Sequence, residues 1–264
     1  NLKMFQDKAL RGGFFDNPLL DDDGVFRRVP LLQAYNNELY ESLALALTRV
    51  ALGNPNIELV VESNEDGRDL FLEWVTIGEI AIPVDQKSGV LVPYIGKQRS
   101  FEYIPAVDVL NKVVDKDKLA GKITLFGASA PGLLDLRTTP LEAASPGVEV
   151  HANIIQGILD GSILHQPGYT QGFEFILLMI IGVALTFVLP MLSALYSTII
   201  TIIVIIVLII SNFYAWSVSM LVLPIASPVL LVVLLFALQM TYGFFVESRS
   251  KRQLAHLFGQ YVPP

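Results

Sequence analysis

Four polar side chains in the second half of the acidic N-terminal part are the residues best suited to hold a small molecule. Asp135 and Arg137 follow a predicted loop, and Glu149 and His151 lie at the start of the next element. Glu149 and His151 are two positions apart, so on a strand they would share one face. Because open α/β folds bind ligands beyond the ends of their strands, we predict that these four residues are ligand-binding.

Two other interpretations of these four residues remain open from the sequence alone. Asp135 and Arg137 can form a structural ion pair beside a hydrogen-bonded His151. Metal coordination is the second alternative, although one histidine with scattered carboxylates is a weak ligand set. The sequence predicts no catalytic residue and no metal or cofactor site in this chain.

Two loops raise further chemical possibilities. Gly127–Gly132 follows an apolar segment, as phosphate-binding loops do, but it lacks the Walker lysine, so a structural turn is favoured over nucleotide binding. Asp21-Asp22-Asp23-Gly24 could suggest calcium. Position 12 counted from Asp21 is Leu32 and not glutamate, so a solvated turn is favoured.

The residue patterns around these four positions predict an α/β domain with a mixed, partly parallel sheet and flanking helices. Turn residues and strand-forming residues alternate with helical periodicity along the first 160 residues. The predicted strands are 26–32, 57–61, 77–82, 89–94 and 122–127, the last being the clearest buried strand. The predicted helices are 39–52 and 106–114. Residues 146–151 start another element, which continues as a helix through Leu159.

A run of 72 residues from Phe175 to Val246 contains no Asp, Glu, Lys, Arg or His. Since a bilayer-spanning helix needs about 20 apolar residues, this run predicts three transmembrane helices at about 173–189, 193–212 and 224–246. Phe213, Tyr214 and Trp216 are predicted to form an interfacial aromatic patch between the last two spans. Without an ionisable group at depth, the spans are unlike those of a transport pathway.

Charge divides the chain and sets its predicted orientation. Of the 25 acidic residues, 24 lie at or before Glu174, whereas Arg249, Lys251 and Arg252 follow the last span. The positive-inside rule therefore predicts a cytoplasmic C-terminus and an extracytoplasmic domain over residues 1–172. The acidic balance argues against nucleic acid as a partner, and the absence of cysteine excludes disulfides and thiolate sites.

Three segments in the predicted domain resemble the type-2 CHASE extracellular sensory domain. They are Asp22–Leu31 with Tyr40–Leu47, Gly121–Gly132 with Asp135–Pro140, and Pro146–Asn153. The resemblance covers about residues 11–165 in the family's order. It implies an extracytoplasmic sensor with an unknown ligand, followed by three membrane spans, and with an N-terminal part that is longer in the family than here.

The end of the chain resembles the linker that leads into class III adenylate or guanylate cyclase domains. A helix is predicted from Gln239 to Phe258, followed by Phe258-Gly-Gln-Tyr-Val-Pro-Pro264. This resemblance implies a bacterial receptor cyclase in the cell (inner) membrane, with residues 247–264 as a cytoplasmic linker. The catalytic domain, with ATP and Mg or Mn ions, would lie outside this chain, and a homodimer is the expected assembly. There are two alternatives. The same sensor could be coupled to a histidine or serine/threonine kinase, or the domain could be a ligand-free dimerisation scaffold.

Overall fold

The computed structural model describes residues 3–63, 70–128 and 135–259. The chain divides into two units, Asn1–Gly168 and Tyr169–Pro264. The N-terminal unit contains short strands and helices, and the described part of the C-terminal unit consists of helices and short connections. Each is described by itself below.

The N-terminal unit contains four small sheets and four α-helices among the described residues. Its elements in chain order are α1 (Lys3–Gln6), β1 (Arg28–Pro30), β2 (Leu32–Tyr35), β3 (Glu38–Glu41), α2 (Leu43–Ala51), β4 (Ile57–Ser63), β5 (Leu70–Ile77), β6 (Ile80–Pro83), β7 (Gly89–Leu91), α3 (Ala106–Leu110), β8 (Leu136–Arg137), β9 (Ser145–Pro146) and α4 (Gly147–Asp160). The sheets are β1–β7, β2–β3, β4–β5–β6 and β8–β9.

The prediction of a mixed, partly parallel sheet is wrong for the part of the chain that is described. Every strand ladder there is antiparallel. Among the described residues, parallel pairing is seen at two isolated bridges, Phe14 with Ser42 and Val25 with Thr138. Tight turns explain the antiparallel hairpins, because Asn36 and Asn37 both have positive φ angles between β2 and β3.

Several predicted elements have different bounds, each for a local reason. The predicted helix 39–52 begins only at Leu43, since Leu39–Glu41 pairs with β2 and the Ser42 Oγ caps the helix by accepting from the Leu45 amide. The predicted strand 26–32 divides at Leu31, whose amide donates to Ser88 instead of continuing one ladder. The predicted strand 77–82 contains the Gly78-Glu79 turn between β5 and β6.

Residues 122–127 are the largest error of the sequence-based prediction. This segment was predicted as the clearest buried strand, yet it belongs to no strand in the structure. Phe126 is 91% exposed and Ile123 is also exposed, and only the partly buried Leu125 of this segment packs against the core. The segment is instead fixed near its end, where Gly127 lies so close to Val148 that a Cβ on Gly127 would be 2.6 Å from the Val148 Cβ.

The core of the N-terminal unit forms where α2 packs on α4. Both helices bury one apolar face, as their periodicity predicts. Gly161, in the left-handed conformation, ends α4. The fully or nearly fully buried side chains of this core include Leu31, Ala44, Leu45, Val75, Ile77, Ile82, Val90, Ile154 and Ile158.

The C-terminal unit consists of three long apolar helices. They are α5 (Thr170–Val188), α6 (Ala194–Ser219) and α7 (Ala226–Gly259), with a short 3₁₀ turn at Leu189–Met191 around Pro190. The segments Thr170–Met191, Ala194–Ser219 and Ala226–Gly243 are long and apolar enough to cross a membrane. Helix α7 also confirms the prediction that the third span continues as one helix beyond Gln239.

Helix α6 is longer than predicted, so the aromatic patch lies within the helix and not in a loop. Phe213 and Trp216 are in its last two turns, with ring centroids 6.2 Å apart. Polar side chains within the helices bond to backbone carbonyls. The Thr198 and Thr201 hydroxyls donate to the carbonyls of Ala194 and Ser197 at 2.9 and 2.8 Å.

We expect Ile154→Ala to destabilise the N-terminal unit by about 2–5 kcal/mol, because Ile154 is fully buried in the core and a cavity would remain. The matched control is Leu110→Ala at an 80% exposed position, which should change stability by less than about 0.5 kcal/mol. Denaturant unfolding of the detergent-solubilised chain can be followed by Trp74 fluorescence after Trp216→Phe. Equal effects of the two substitutions would contradict the core described here.

Candidate functional site

The site is built by a short hairpin that leads directly into helix α4. Strands β8 and β9 pair through Leu136 with Pro146 and Arg137 with Ser145, and the Gly147 amide donates to the Asp135 carbonyl at 2.8 Å. Asp135 and Arg137 are therefore alternate residues of one extended segment, so both side chains lie on the same side of it. The first turn of α4 begins immediately beside them.

Asp135 and Arg137 form an ion pair, with 3.4 Å between Arg137 Nη2 and Asp135 Oδ1. Their side chains are 39% and 35% exposed, so the pair is accessible. Arg137 also lies over the Phe26 ring, 5.5 Å from its centroid. Gly147 allows the carboxylate to approach the helix, because a Cβ on Gly147 would lie 2.5 Å from Asp135 Oδ1.

These side chains lie at a cavity of about 210 Å³ in the N-terminal unit. Its polar lining comes from Asn17, Asp135, Arg137 and His151. Its apolar lining is contributed by Phe15, Phe26, Val29, Leu43, Phe126, Val148 and Val150. A second cavity beside Arg28, Asp85 and His165 measures only about 10 Å³, which is the space of a single water molecule.

His151 occupies the second turn of α4 on the cavity side. Burial lowers the pKa of its imidazole, with Asp135 opposing and Arg137 reinforcing that shift. Its Nδ1 atom is buried and has no hydrogen-bond partner among the described residues. The alternative of a hydrogen-bonded His151 is therefore not supported at Nδ1.

Glu149 lies elsewhere, which corrects the expectation that it shares a face with His151. Both residues are on a helix and not on a strand, so two positions separate them by about 200°. Glu149 is 5% exposed, and its Oε1 accepts from the Arg99 amide at 2.8 Å. It does not line the cavity. Instead it fixes the backbone at Arg99, with Asn153 Oδ1 doing the same for Ile95 at 3.0 Å.

Tyr103 lies beside this buried carboxylate. Burial, together with Glu149, raises the pKa of the Tyr103 phenol to about 12. The phenol therefore stays protonated at physiological pH. This part of α4 has a positioning role: it anchors the loop around Arg99 while the neighbouring turn faces the cavity.

The acidic turn at 21–24 is a structural turn, as favoured from the sequence. Gly24 has a φ of +75°, and its amide donates to the Asp21 carbonyl. The carboxylates of Asp21 and Asp23 both accept from Arg27, at 2.7 Å each to Nη1 and Nη2. That ion pair lowers the pKa of Asp23. In the described parts of the chain no cluster of three or more His, Cys, Asp or Glu is placed to hold a metal.

Sequence reasoning missed the N-terminal wall of the cavity. Phe15 and Asn17 lie there because the chain pairs with the start of α2: the Leu43 amide donates to the Phe14 carbonyl at 2.7 Å. Asn17 Nδ2 also donates to the Arg28 carbonyl at 2.7 Å. Neither residue belongs to a motif, so no local signal indicated them. Most of the Gly127–Gly132 loop, residues 129–132, is outside the described residues.

Comparison with known proteins gives one match. The sequence model of the CHASE2 domain matches residues 3–189. No curated protein and no solved structure matches the chain. The matched region contains the whole cavity and extends through the first apolar helix.

We expect His151 to make the N-terminal unit less stable in mild acid. Its pKa is lower in the folded state, so below about pH 6.5 the unfolded chain binds more protons, and stability is lost as pH falls through this window. The unfolding midpoints of the wild type and His151→Gln should therefore diverge between about pH 7.5 and 5, with the variant losing less. A difference that does not change with pH would contradict a buried, neutral imidazole.

Proposed function

Since the chain belongs to the CHASE2 family, whose domains are sensory, we propose that it is the sensor and membrane-transducer portion of a receptor. The observation that carries this proposal is the cavity with the Asp135–Arg137 pair, in a domain followed in the chain by three helices able to cross a membrane. An accessible ion pair beside an unpartnered imidazole nitrogen is typical of a binding site. The proposed ligand binds in this cavity.

The proposed orientation places residues 1–172 outside the cytoplasm of a bacterial cell, with the C-terminus inside. Its support is the charge pattern: Arg249, Lys251 and Arg252 follow the last apolar helix, and no Lys or Arg occurs between Arg137 and Arg249. The ligand would then reach the cavity without crossing the inner membrane.

The proposed output is cyclic AMP, made from ATP by a class III cyclase domain joined after Pro264. Support comes from the cyclase-like linker sequence and from α7, which is one uninterrupted helix to Gly259. ATP and the catalytic Mg or Mn ions would bind in that further domain. Ligand binding would favour one of two packings of α7 within a homodimer, and that reorientation would align the catalytic halves.

The same sensor joined to a histidine or serine/threonine kinase is an alternative. A ligand-free dimerisation scaffold is another, and one observation favours it: Leu59, Val60 and Val61 of strand β4 are all more than 40% exposed. The cavity favours the sensor over the scaffold, because a purely structural domain has no need of an accessible ion pair at a cavity.

The gene that continues beyond Pro264 should encode a class III cyclase. The complete protein, expressed in a bacterial strain lacking its own adenylate cyclase, should then produce cyclic AMP. The matched control is the chain ending at Pro264, which should produce none. A kinase sequence after Pro264, or no cyclic AMP or cyclic GMP from the complete protein, would overturn the cyclase proposal.

The homodimer can be tested with single cysteines, because the chain contains none of its own. Cysteines placed one at a time at the exposed α7 positions Leu230, Val233, Leu234 and Leu238 should cross-link between two copies in membranes. These four positions lie on one face of α7, so we expect them to cross-link together and strongly if that face forms the dimer contact. Phe175 and Ile176 of α5 serve as comparison positions. No cross-linking at any α7 position would contradict a dimer formed through this helix.

A further inference from the structure

The cavity contains one full positive and one full negative charge, side by side. Arg137 and Asp135 are 3.4 Å apart, and both side chains keep about a third of their surface exposed. The described contacts of the Arg137 guanidinium are this ion pair and the Phe26 ring. Because a guanidinium has several N–H donors, most of them remain available. The Asp135 carboxylate likewise has lone pairs that Arg137 does not use.

His151 adds no charge to this site at neutral pH. Burial lowers its pKa, so the imidazole is neutral there. The site therefore has no net charge, although it contains two formal charges. A simple anion would pair with Arg137 but would be repelled by Asp135, and a simple cation would meet the reverse problem.

Apart from Asn17, whose amide group is already bonded to the Arg28 carbonyl and the Leu19 amide, the lining on the side of β1 and α2 is apolar. Phe15, Val29 and Leu43 form this wall, with Phe26 beside Arg137. Such a surface favours an aliphatic or aromatic group next to the charged part of a ligand. The volume of about 210 Å³ is below the range of roughly 300–1,000 Å³ usual for drug-sized ligands. A small metabolite is the class that fits.

We propose that the ligand is a zwitterionic α-amino acid with an apolar side chain. Its carboxylate would bind Arg137, its ammonium group would bind Asp135, and its side chain would contact Phe15, Val29 and Leu43. An α-amino acid carries its ammonium and carboxylate groups on the same carbon atom, so its two opposite charges lie close together, as do the two protein charges 3.4 Å apart. The inference rests on the proposed sensor function, since it names the ligand of the same cavity.

The experiment uses the full chain in lipid nanodiscs and three probes of matched shape. L-leucine carries both charges, 4-methylpentanoate lacks the ammonium group, and 3-methylbutylamine lacks the carboxylate. Binding is measured by calorimetry and by the ligand-dependent rise in melting temperature. We expect L-leucine or another apolar amino acid (alanine, valine or phenylalanine) to bind at least tenfold more tightly than either singly charged analogue.

Variants separate the two contacts. Asp135→Asn and Arg137→Gln should each weaken amino-acid binding at least tenfold, while Arg137→Lys should retain part of the affinity. Lys118→Gln, which removes an exposed ion pair to Glu102, is the matched control and should bind as the wild type does. The melting temperature of each ligand-free variant shows whether the fold is kept.

Three outcomes would overturn the inference: equal binding of L-leucine and 4-methylpentanoate, equal binding in both cavity variants and the wild type, or no binding of any apolar amino acid at 10 mM (on the order of the weakest useful affinities).

Failure of the amino-acid inference can be distinguished from failure of the proposed sensor function. Amino-acid binding without any change in output from the complete protein would leave the ligand class intact and remove the sensor role. An output that responds to another small molecule would do the opposite.

Discussion

The N-terminal unit depends on the burial of helix α2 against helix α4. Leu45 on one helix and Ile154 on the other are completely excluded from solvent. Burial of each such side chain contributes about 1.5–3 kcal/mol. Both helices also begin at the cavity, with Leu43 at the start of α2 and Gly147 at the start of α4. The packing that stabilises the unit therefore also sets the distance between two walls of the site.

Helix α4 presents a different chemistry on each of its faces. Val150 and Ile154 enter the core, Glu149 and Asn153 bond to the backbone between Ile95 and Arg99, and His151 faces the cavity. Because the core face and the face toward Arg99 are both held, the helix has little freedom to rotate on its own. A ligand that moves the first turn of α4 must displace either the core or the Arg99 loop. A displacement of the first turn of α4 would therefore be transmitted from the cavity to the core or to the loop around Arg99.

The sequence predicted best what depends on composition and worst what depends on distant partners. The three apolar helices lie within a few residues of their predicted positions, except that α6 extends to Ser219, because an uncharged run needs no partner to be recognised. Asp135 and Arg137 could be paired from spacing alone. The 122–127 segment could not be placed, since an apolar run does not reveal whether a neighbouring strand exists. The prediction that Glu149 and His151 share one face assumes a strand, whereas Gly147 is already the first residue of a helix. Phe15 and Asn17 come from a remote part of the chain.

Helix α7 has 34 residues without a break. At 1.5 Å per residue it is roughly 51 Å long, well beyond the roughly 30 Å of a bilayer's hydrocarbon core. Each residue turns the helix by about 100°. The number of residues between the apolar segment and the end of α7 therefore sets the direction in which that end of the helix faces. A change in the length of α7 therefore also changes the rotation between its two ends. Inserting or removing one residue within α7 rotates its C-terminal end by about 100°, and only changes close to whole turns keep its direction.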